Sequence, residues 1–394
     1  MTAVPASALA EAKRVRDGAE AELNELLADL EQWVNEDTPS RSASAADRLA
    51  AILATTLESY GLHPELVPGT GDEGLYLYAA VEGAGRARVA LLCHHDTVFP
   101  AGTAARRPFR SDGERCYGPG VADMKGGIAV AAHAARLLAD GPRPFGRLEL
   151  VSAPDEEARS GPPAALERLL GFDAVLCLEC GRPDGSIVSA RKGAQWLRID
   201  AVGRSAHAGV EPHAGHNAVL ALCREAVRLS ELDGARDGVT VQVTEVRGGE
   251  GLNTVPSAAM LTVDLRAPTS AQLQWTLEQV RDFGGHDGVA FSLEDLGGPP
   301  PLERTPAVAA LAEAAIALGA SLGHRFGESL TGGVSDASWV AHHGVPTLDG
   351  LGPVGGLDHT PDEYVEIQSF APRCGVVAGL VAALDAGLVR AAPP

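Results

Sequence analysis

Three short stretches of this chain carry imidazole and carboxylate side chains in spacings that suit cation binding. His94-His95-Asp96 follows the apolar run 88–93 (RVALLC), Asp155-Glu156-Glu157 follows 147–152 (RLELVS), and Glu179 follows 173–178 (DAVLCL). Side chains alternate along a strand, so His94 and Asp96 point one way and His95 the other. That suits a metal-binding imidazole whose tautomer is fixed by a carboxylate behind it. Asp123 stands in 118–127 (GPGVADMKGG), a loop too rich in glycine for ordinary packing, and is the candidate partner of His94. His359, in the Gly-rich loop 355–363, supplies a further imidazole. The set His94, Asp123, Glu157, Glu179 and His359 suits zinc, and two metals sharing one bridging carboxylate would use all five. Of the pair Glu156-Glu157, one can bind metal while its neighbour, held close but free, takes a proton from water.

The elements that must position these residues are apolar strands of the kind a central parallel sheet needs, and function collects at the carboxyl ends of such strands. Periodicity predicts helices over 6–36, 45–60, 128–140, 306–322 and 367–388, a strand over 75–81, and a short helix that Asp336 caps. From about residue 191 the pattern changes. Half-exposed strands at 195–203, 240–247, 258–266 and 289–294, with helices at 216–232 and 272–283, predict a small α+β sandwich, and Pro299, Pro300 and Pro301 mark the return. The expected class is therefore α/β: a mostly parallel central sheet flanked by helices, with an inserted α+β sandwich. The expected domains are 1–190 and 303–394 together, and 191–302.

A formal charge of -20 argues against nucleic acid or an anionic membrane as partner, since both ask for clustered Lys and Arg. Charges near the N-terminus interrupt any apolar core a signal peptide would need, and no stretch reads as long enough to span a membrane, so the chain is expected in the cytoplasm. The six cysteines sit in mostly apolar surroundings and read as reduced, buried thiols.

The motifs HxDTV (94–98), GPGVADMKGG, DEE (155–157), GRSAHAG (203–209) and GGLDHTPDEYV (355–365) together resemble the M20 family of di-zinc metallopeptidases, in particular its glutamate carboxypeptidase branch. The resemblance covers nearly the whole chain in order. It implies two Zn2+ per subunit, with Co2+ or Mn2+ as substitutes. His94, bridging Asp123 and Glu179 would hold one ion, and Asp123, Glu157 and His359 the other. It further implies that Asp96 orients His94, that Glu156 is the general base, and that the Asp123-Met124 bond is cis. His207 would stabilise an oxyanion in the partner subunit of a homodimer formed through the inserted domain. Arg266 would bind the substrate carboxylate with Asn253 beside it. On the residues alone, Gly332 and Gly333 suit either a substrate-facing backbone or simply the turn before the helix that follows.

The activity this resemblance implies is cleavage of an amide or peptide bond to release a C-terminal amino acid. Near 298–300 and 186–187, where the glutamate carboxypeptidases carry further cationic groups, this chain has none. A deacylase of N-acyl amino acids, of the acetylornithine or succinyl-diaminopimelate kind, would use every one of the same catalytic residues. A metal-binding protein without catalysis is the third reading, and the presence of Glu156 beside Glu157 argues against it.

Overall fold

The structure, a computed structural model, describes residues 4–71, 73–159, 161–249, 251–285 and 288–389. It divides into a larger unit, Met1–Ala190 with Arg304–Leu330 and Ser335–Pro394, and a smaller one, Arg191–Glu303 with Thr331–Val334. Thr331–Val334 was expected in the returning segment of the larger domain. Instead it groups with the smaller unit, where the Arg191 guanidinium donates to the carbonyls of Gly333 and Val334 at 3.2 and 3.3 Å.

The larger unit begins with α1 (Ala6–Ala21) and α2 (Leu23–Val34), two helices where one run was expected, parted at Glu22. Buried Ala8, Ala12, Val15 and Ala19 give α1 one apolar stripe. After α3 (Ala43–Ser59) comes β1 (His63–Pro68), a strand the sequence did not signal because two prolines and mixed polarity disguise an edge strand. Then follow β2 (Leu75–Glu82), β3 (Arg88–His94), α4 (Gly126–Ala139), β4 (Arg147–Ala153) and β5 (Ala174–Cys177). All of α4 except Arg136 is buried, which its alanines and glycines allow by letting neighbours approach on every side.

The smaller unit comprises β6 (Gly193–Val202), α5 (Ala218–Ser230), β7 (Thr240–Gly248), β8 (Ala258–Ala267), α6 (Ser270–Arg281) and β9 (Ala290–Asp295). Its antiparallel sheet has the order β7-β8-β6-β9. Alternate residues of β6 and β8, among them Leu197, Ile199, Leu261, Val263 and Leu265, share a core with Leu222 and Leu229 of α5 and Leu277 and Val280 of α6. Asn217 and Thr269 cap the two helices, accepting from the N–H groups of Leu220 and Gln272.

The chain then completes the larger unit with α7 (Pro306–Ser321), α8 (Ala337–His342), β10 (Thr347–Leu348) and α9 (Phe370–Asp385). Asp336 does precede α8 but makes no capping bond with its side chain, which is turned instead onto Arg159. The segment Ile367–Asp385 is, by length and composition, apolar enough to cross a membrane, contrary to the expectation from sequence, yet 83% of its most apolar window is buried inside the protein. Five of the six cysteines are buried as expected, whereas Cys223 is exposed.

The larger sheet has the order β1-β2-β4-β3-β5-β10. β3 lies between two parallel partners, with Leu91 opposite Leu150 of β4 on one side and Leu176 of β5 on the other. The ends of β3, β4 and β5 and the loops that follow them therefore lie at the same edge of the sheet, and they carry His94 to Asp96, Asp155 to Glu157, and Glu179.

Candidate metal centre

His94 ends β3, 1% exposed. Its Nε2 lies 3.0 Å from Asp123 Oδ1 and 3.6 Å from Glu179 Oε1. The other carboxylate oxygen of Asp123 lies 3.2 Å from His359 Nε2, which is also 3.2 Å from Glu157 Oε2. Asp123 thus stands between two imidazoles, and the five residues form two donor triads, His94–Asp123–Glu179 and Asp123–Glu157–His359, each with its ligand atoms within 4.8 Å of one another. The Asp123-Met124 bond is cis, as the resemblance implied.

These donors fit divalent cations on the chemistry of the set alone. Two imidazoles and three carboxylates converge with no Lys or Arg among them, and the buried Glu157 Oε1 has no hydrogen-bond partner among the described residues. The electrostatics point the same way. Loss of hydration pushes the Glu157 carboxyl up, aided by the charge of Asp123, and hydrogen bonds to Asp123 and Glu157 hold the His359 imidazolium up to about 11. A metal ion bound among these donors would displace the proton that His359 holds.

Asp96, fully buried, does more than the orientation of His94 expected of it. Its Oδ1 is 3.3 Å from His94 Nδ1 and accepts the Glu156 N–H at 3.0 Å. Its Oδ2 accepts the Glu157 N–H at 3.2 Å and the Ser40 hydroxyl at 2.7 Å. One carboxylate therefore fixes both a metal-site imidazole and the turn bearing the acidic pair. Glu156 itself lies outside both triads, and loss of hydration holds its carboxyl well above the ordinary range.

Two supports escaped the sequence reading. Glu363, 0% exposed, takes N–H groups from the loop that carries Asp123, and Ser40 braces Asp96. Glu363 lies within a quoted motif, so a buried role was open to notice; nothing in the sequence marks Ser40. Lys125, in the loop that carries Asp123, donates to the Glu36 carbonyl at 2.7 Å.

The remaining expected residues belong to the smaller unit. Exposed His207 accepts two backbone N–H groups at Nδ1, from Gly209 and Val210, both at 3.1 Å. With Nδ1 serving as acceptor, the neutral ring carries its proton on Nε2, which makes that atom a donor. Arg266 forks onto Asp264 at 2.9 and 3.0 Å and donates from Nη1 to the Gly332 carbonyl at 2.7 Å, one residue from Gly333. Those bonds use three of its five N–H groups.

Asn253 does not stand beside Arg266 within one chain. It keeps company with His207: the Asn253 carbonyl accepts the Ala208 N–H at 2.9 Å, and His207 pairs with Thr254. Thr254 and Val255 lead into the start of β8, whereas Arg266 lies near its far end, so roughly 25 Å of extended strand intervenes.

Comparison with known proteins matches residues 90–383 to the model of peptidase family M20/M25/M40. Carboxypeptidase G2 of Pseudomonas sp. (strain RS-16) is 27% identical over 368 residues, covering 91% of this chain and 89% of its own. Succinyl-diaminopimelate desuccinylase of Alkalilimnicola ehrlichii is 32% identical over 313 residues, 73% of this chain and 81% of its own. Among solved structures, the aminopeptidase PepT of Bacillus cereus superposes with a TM-score of 0.71 at 18% identity, covering 92% of this chain and 98% of that one, which shows a shared fold. Both donor triads lie inside the matched span, and the chain belongs to peptidase family M20/M25/M40 as a metal-dependent hydrolase of amide bonds.

Proposed function

We propose that this chain uses two zinc ions, replaceable by Co2+ or Mn2+, to release a carboxylate-bearing amino acid from the C-terminal side of an amide or peptide bond. Carboxypeptidase G2 is the relative whose name matches this activity over most of the chain. The observation that carries the reading is Asp123, set between His94 and His359 with Glu179 and Glu157 completing the two triads and Glu156 left over.

His94, Asp123 and Glu179 would hold one ion and Asp123, Glu157 and His359 the other; when bound, the ions would polarise the scissile carbonyl and acidify water between them. Glu156, anchored through its backbone by Asp96, takes the proton from the attacking water and passes it to the leaving amine. His207 donates from Nε2 to the oxyanion, a role suited to its fixed tautomer. Arg266 offers its two remaining N–H groups to the leaving amino acid's carboxylate. Because Asn253 travels with His207 and lies far along β8 from Arg266, we propose that the two groups of residues serve one substrate in a homodimer.

A second reading has its own support: the desuccinylase relatives suggest an N-acyl amino acid as substrate, cleaved by the same residues. The deciding experiment is a mass-spectrometric screen of dipeptides and N-acyl amino acids with the zinc- and cobalt-loaded protein. Release of C-terminal amino acids from dipeptides supports the first reading, and exclusive cleavage of N-succinyl or N-acetyl substrates replaces it with the second. In parallel, Glu156→Ala should keep both metals and lose turnover by about 10²- to 10⁴-fold. No turnover by the wild type across the panel would leave a metal-binding protein without catalysis.

A further inference from the structure

Behind the turn that bears Glu156 lies a buried ion cluster. The Arg159 guanidinium spans it, Nη1 pairing with Asp155 Oδ1 and Nη2 with Asp336 Oδ1, the three side chains being only 8%, 8% and 7% exposed. Tyr76 of β2 joins them. Its hydroxyl donates to Asp155 Oδ1 at 3.1 Å and accepts from Arg159 Nη1 and the Ala164 N–H, both at 3.2 Å. Arg159 Nε donates to the Gly161 carbonyl at 3.2 Å. Four stretches of the larger unit, namely β2, the turn 155–159, the loop 161–164 and the residue before α8, thus meet at one guanidinium.

Between Asp155 and Arg159 runs a single short helical turn, Glu156–Ala158. Its N-terminal N–H groups are held by Asp96 and both flanking residues by the cluster, so the backbone under Glu156 is fixed from two sides. Burying two carboxylates around one cation is a costly way to hold a turn, since apolar packing of the same volume is often as stable or more so. What the ionic version adds is direction. A planar fork places two carboxylates at set angles, and an apolar contact does not. Asp336 also leaves its buried Oδ2 without a hydrogen-bond partner among the described residues, and its charge acts on Glu156.

We propose that Arg159 is a positioning residue for Glu156: forked between Asp155 and Asp336, it ties the turn carrying the base to the segment leading into α8 and so sets the angle at which that base meets water. The proposal rests on the reading of Glu156 as proton acceptor. Arg159 belongs to neither donor triad and its side chain bonds only Asp155, Asp336, Tyr76 and Gly161 among the described residues, so its loss is expected to change proton transfer in the transition state and leave substrate binding alone.

The test uses the full chain loaded with zinc or cobalt on the best substrate from the screen. Arg159→Lys keeps the charge, but a point-like ammonium cannot span both carboxylates. We expect kcat to fall about 10- to 100-fold, the scale of a small misplacement of a reacting group, with KM within about 2-fold. Metal stoichiometry and the cobalt absorption spectrum should match the wild type. Asp336→Asn keeps an oxygen acceptor for Arg159 and should lose less, about 2- to 10-fold in kcat. Wild-type kcat in folded Arg159→Lys overturns the proposal, as does an activity loss that tracks metal loss or a rise in KM. If Arg159→Lys does not fold, Asp336→Asn decides on the same readouts, and unchanged kcat in it is equally fatal. Glu156→Ala run alongside separates the two claims. Retained turnover there removes the base itself, whereas an inactive Glu156→Ala beside a fully active Arg159→Lys removes only the positioning role.

Discussion

Glu363 fastens Asp123 through the backbone: its Oε1 accepts the Asp123 N–H at 3.0 Å and the Ala122 N–H at 2.8 Å, while Oε2 accepts the Gly120 N–H at 3.0 Å. A carboxylate fully enclosed by the fold is thus devoted to shaping the loop from which the shared metal ligand projects. In Glu363→Gln one acceptor becomes an NH₂ group facing N–H donors. The variant should fold and bind metal about 10- to 100-fold more weakly, the usual effect of removing a partner that orients a ligand. Competition with a chromophoric chelator measures this, and unchanged affinity would show that the loop holds its shape without Glu363.

For His207 the tautomer is the sharper test than activity. Long-range ¹⁵N correlation spectra at pH 8 should show the ring protonated on Nε2, because Nδ1 accepts the Gly209 and Val210 N–H groups. A ring protonated on Nδ1 would contradict the donor role. His207→Ala should lower kcat by about 10²- to 10³-fold with metal content unchanged, as expected for a lost oxyanion donor.

His95 gives the fold an acid sensitivity of its own. It is fully enclosed, with Nδ1 2.9 Å from the Ser152 hydroxyl, and burial pushes its imidazole down to about 3. In the unfolded chain the ring takes up its proton near pH 6.5. Between those values the unfolded state binds more protons than the folded one, so the contribution is whole above pH 6.5 and is lost progressively as pH falls. With metal in excess, the urea midpoint of the wild type should drop more steeply from pH 7 to pH 5 than that of His95→Gln. Parallel slopes would place the titrating group elsewhere.

Gly375 tests the helix packing. A Cβ there would lie 2.7 Å from the Ala12 carbonyl oxygen and 2.9 Å from Arg16 Cβ, so α9 could not keep its approach to α1. Gly375→Ala is expected to destabilise the fold by about 1–3 kcal/mol in denaturant unfolding, with KM unaltered. An unchanged midpoint would mean that the two helices part without cost.

The metal donors were legible because each follows an apolar run or stands in a Gly-rich loop, signals that local sequence carries. The double duty of Asp96 was not, because it depends on β3 and β4 lying side by side, which brings residue 96 to the backbone of residues 156 and 157. Arg159 and Asp336 were hidden for the same reason, being far apart in the chain and joined only through the fold. Asn253 and Arg266 lie toward opposite ends of β8 within one chain, a separation that the expected strand 258–266 already contained. β1 was missed for a local reason, since an edge strand need not be apolar.

The donors of the two triads are scattered from His94 to His359, and no pair of them is supplied by a single helix or hairpin. In a growing polypeptide the triad His94–Asp123–Glu179 is therefore complete in sequence some 180 residues before the second, which waits for His359 to be brought back against Asp123.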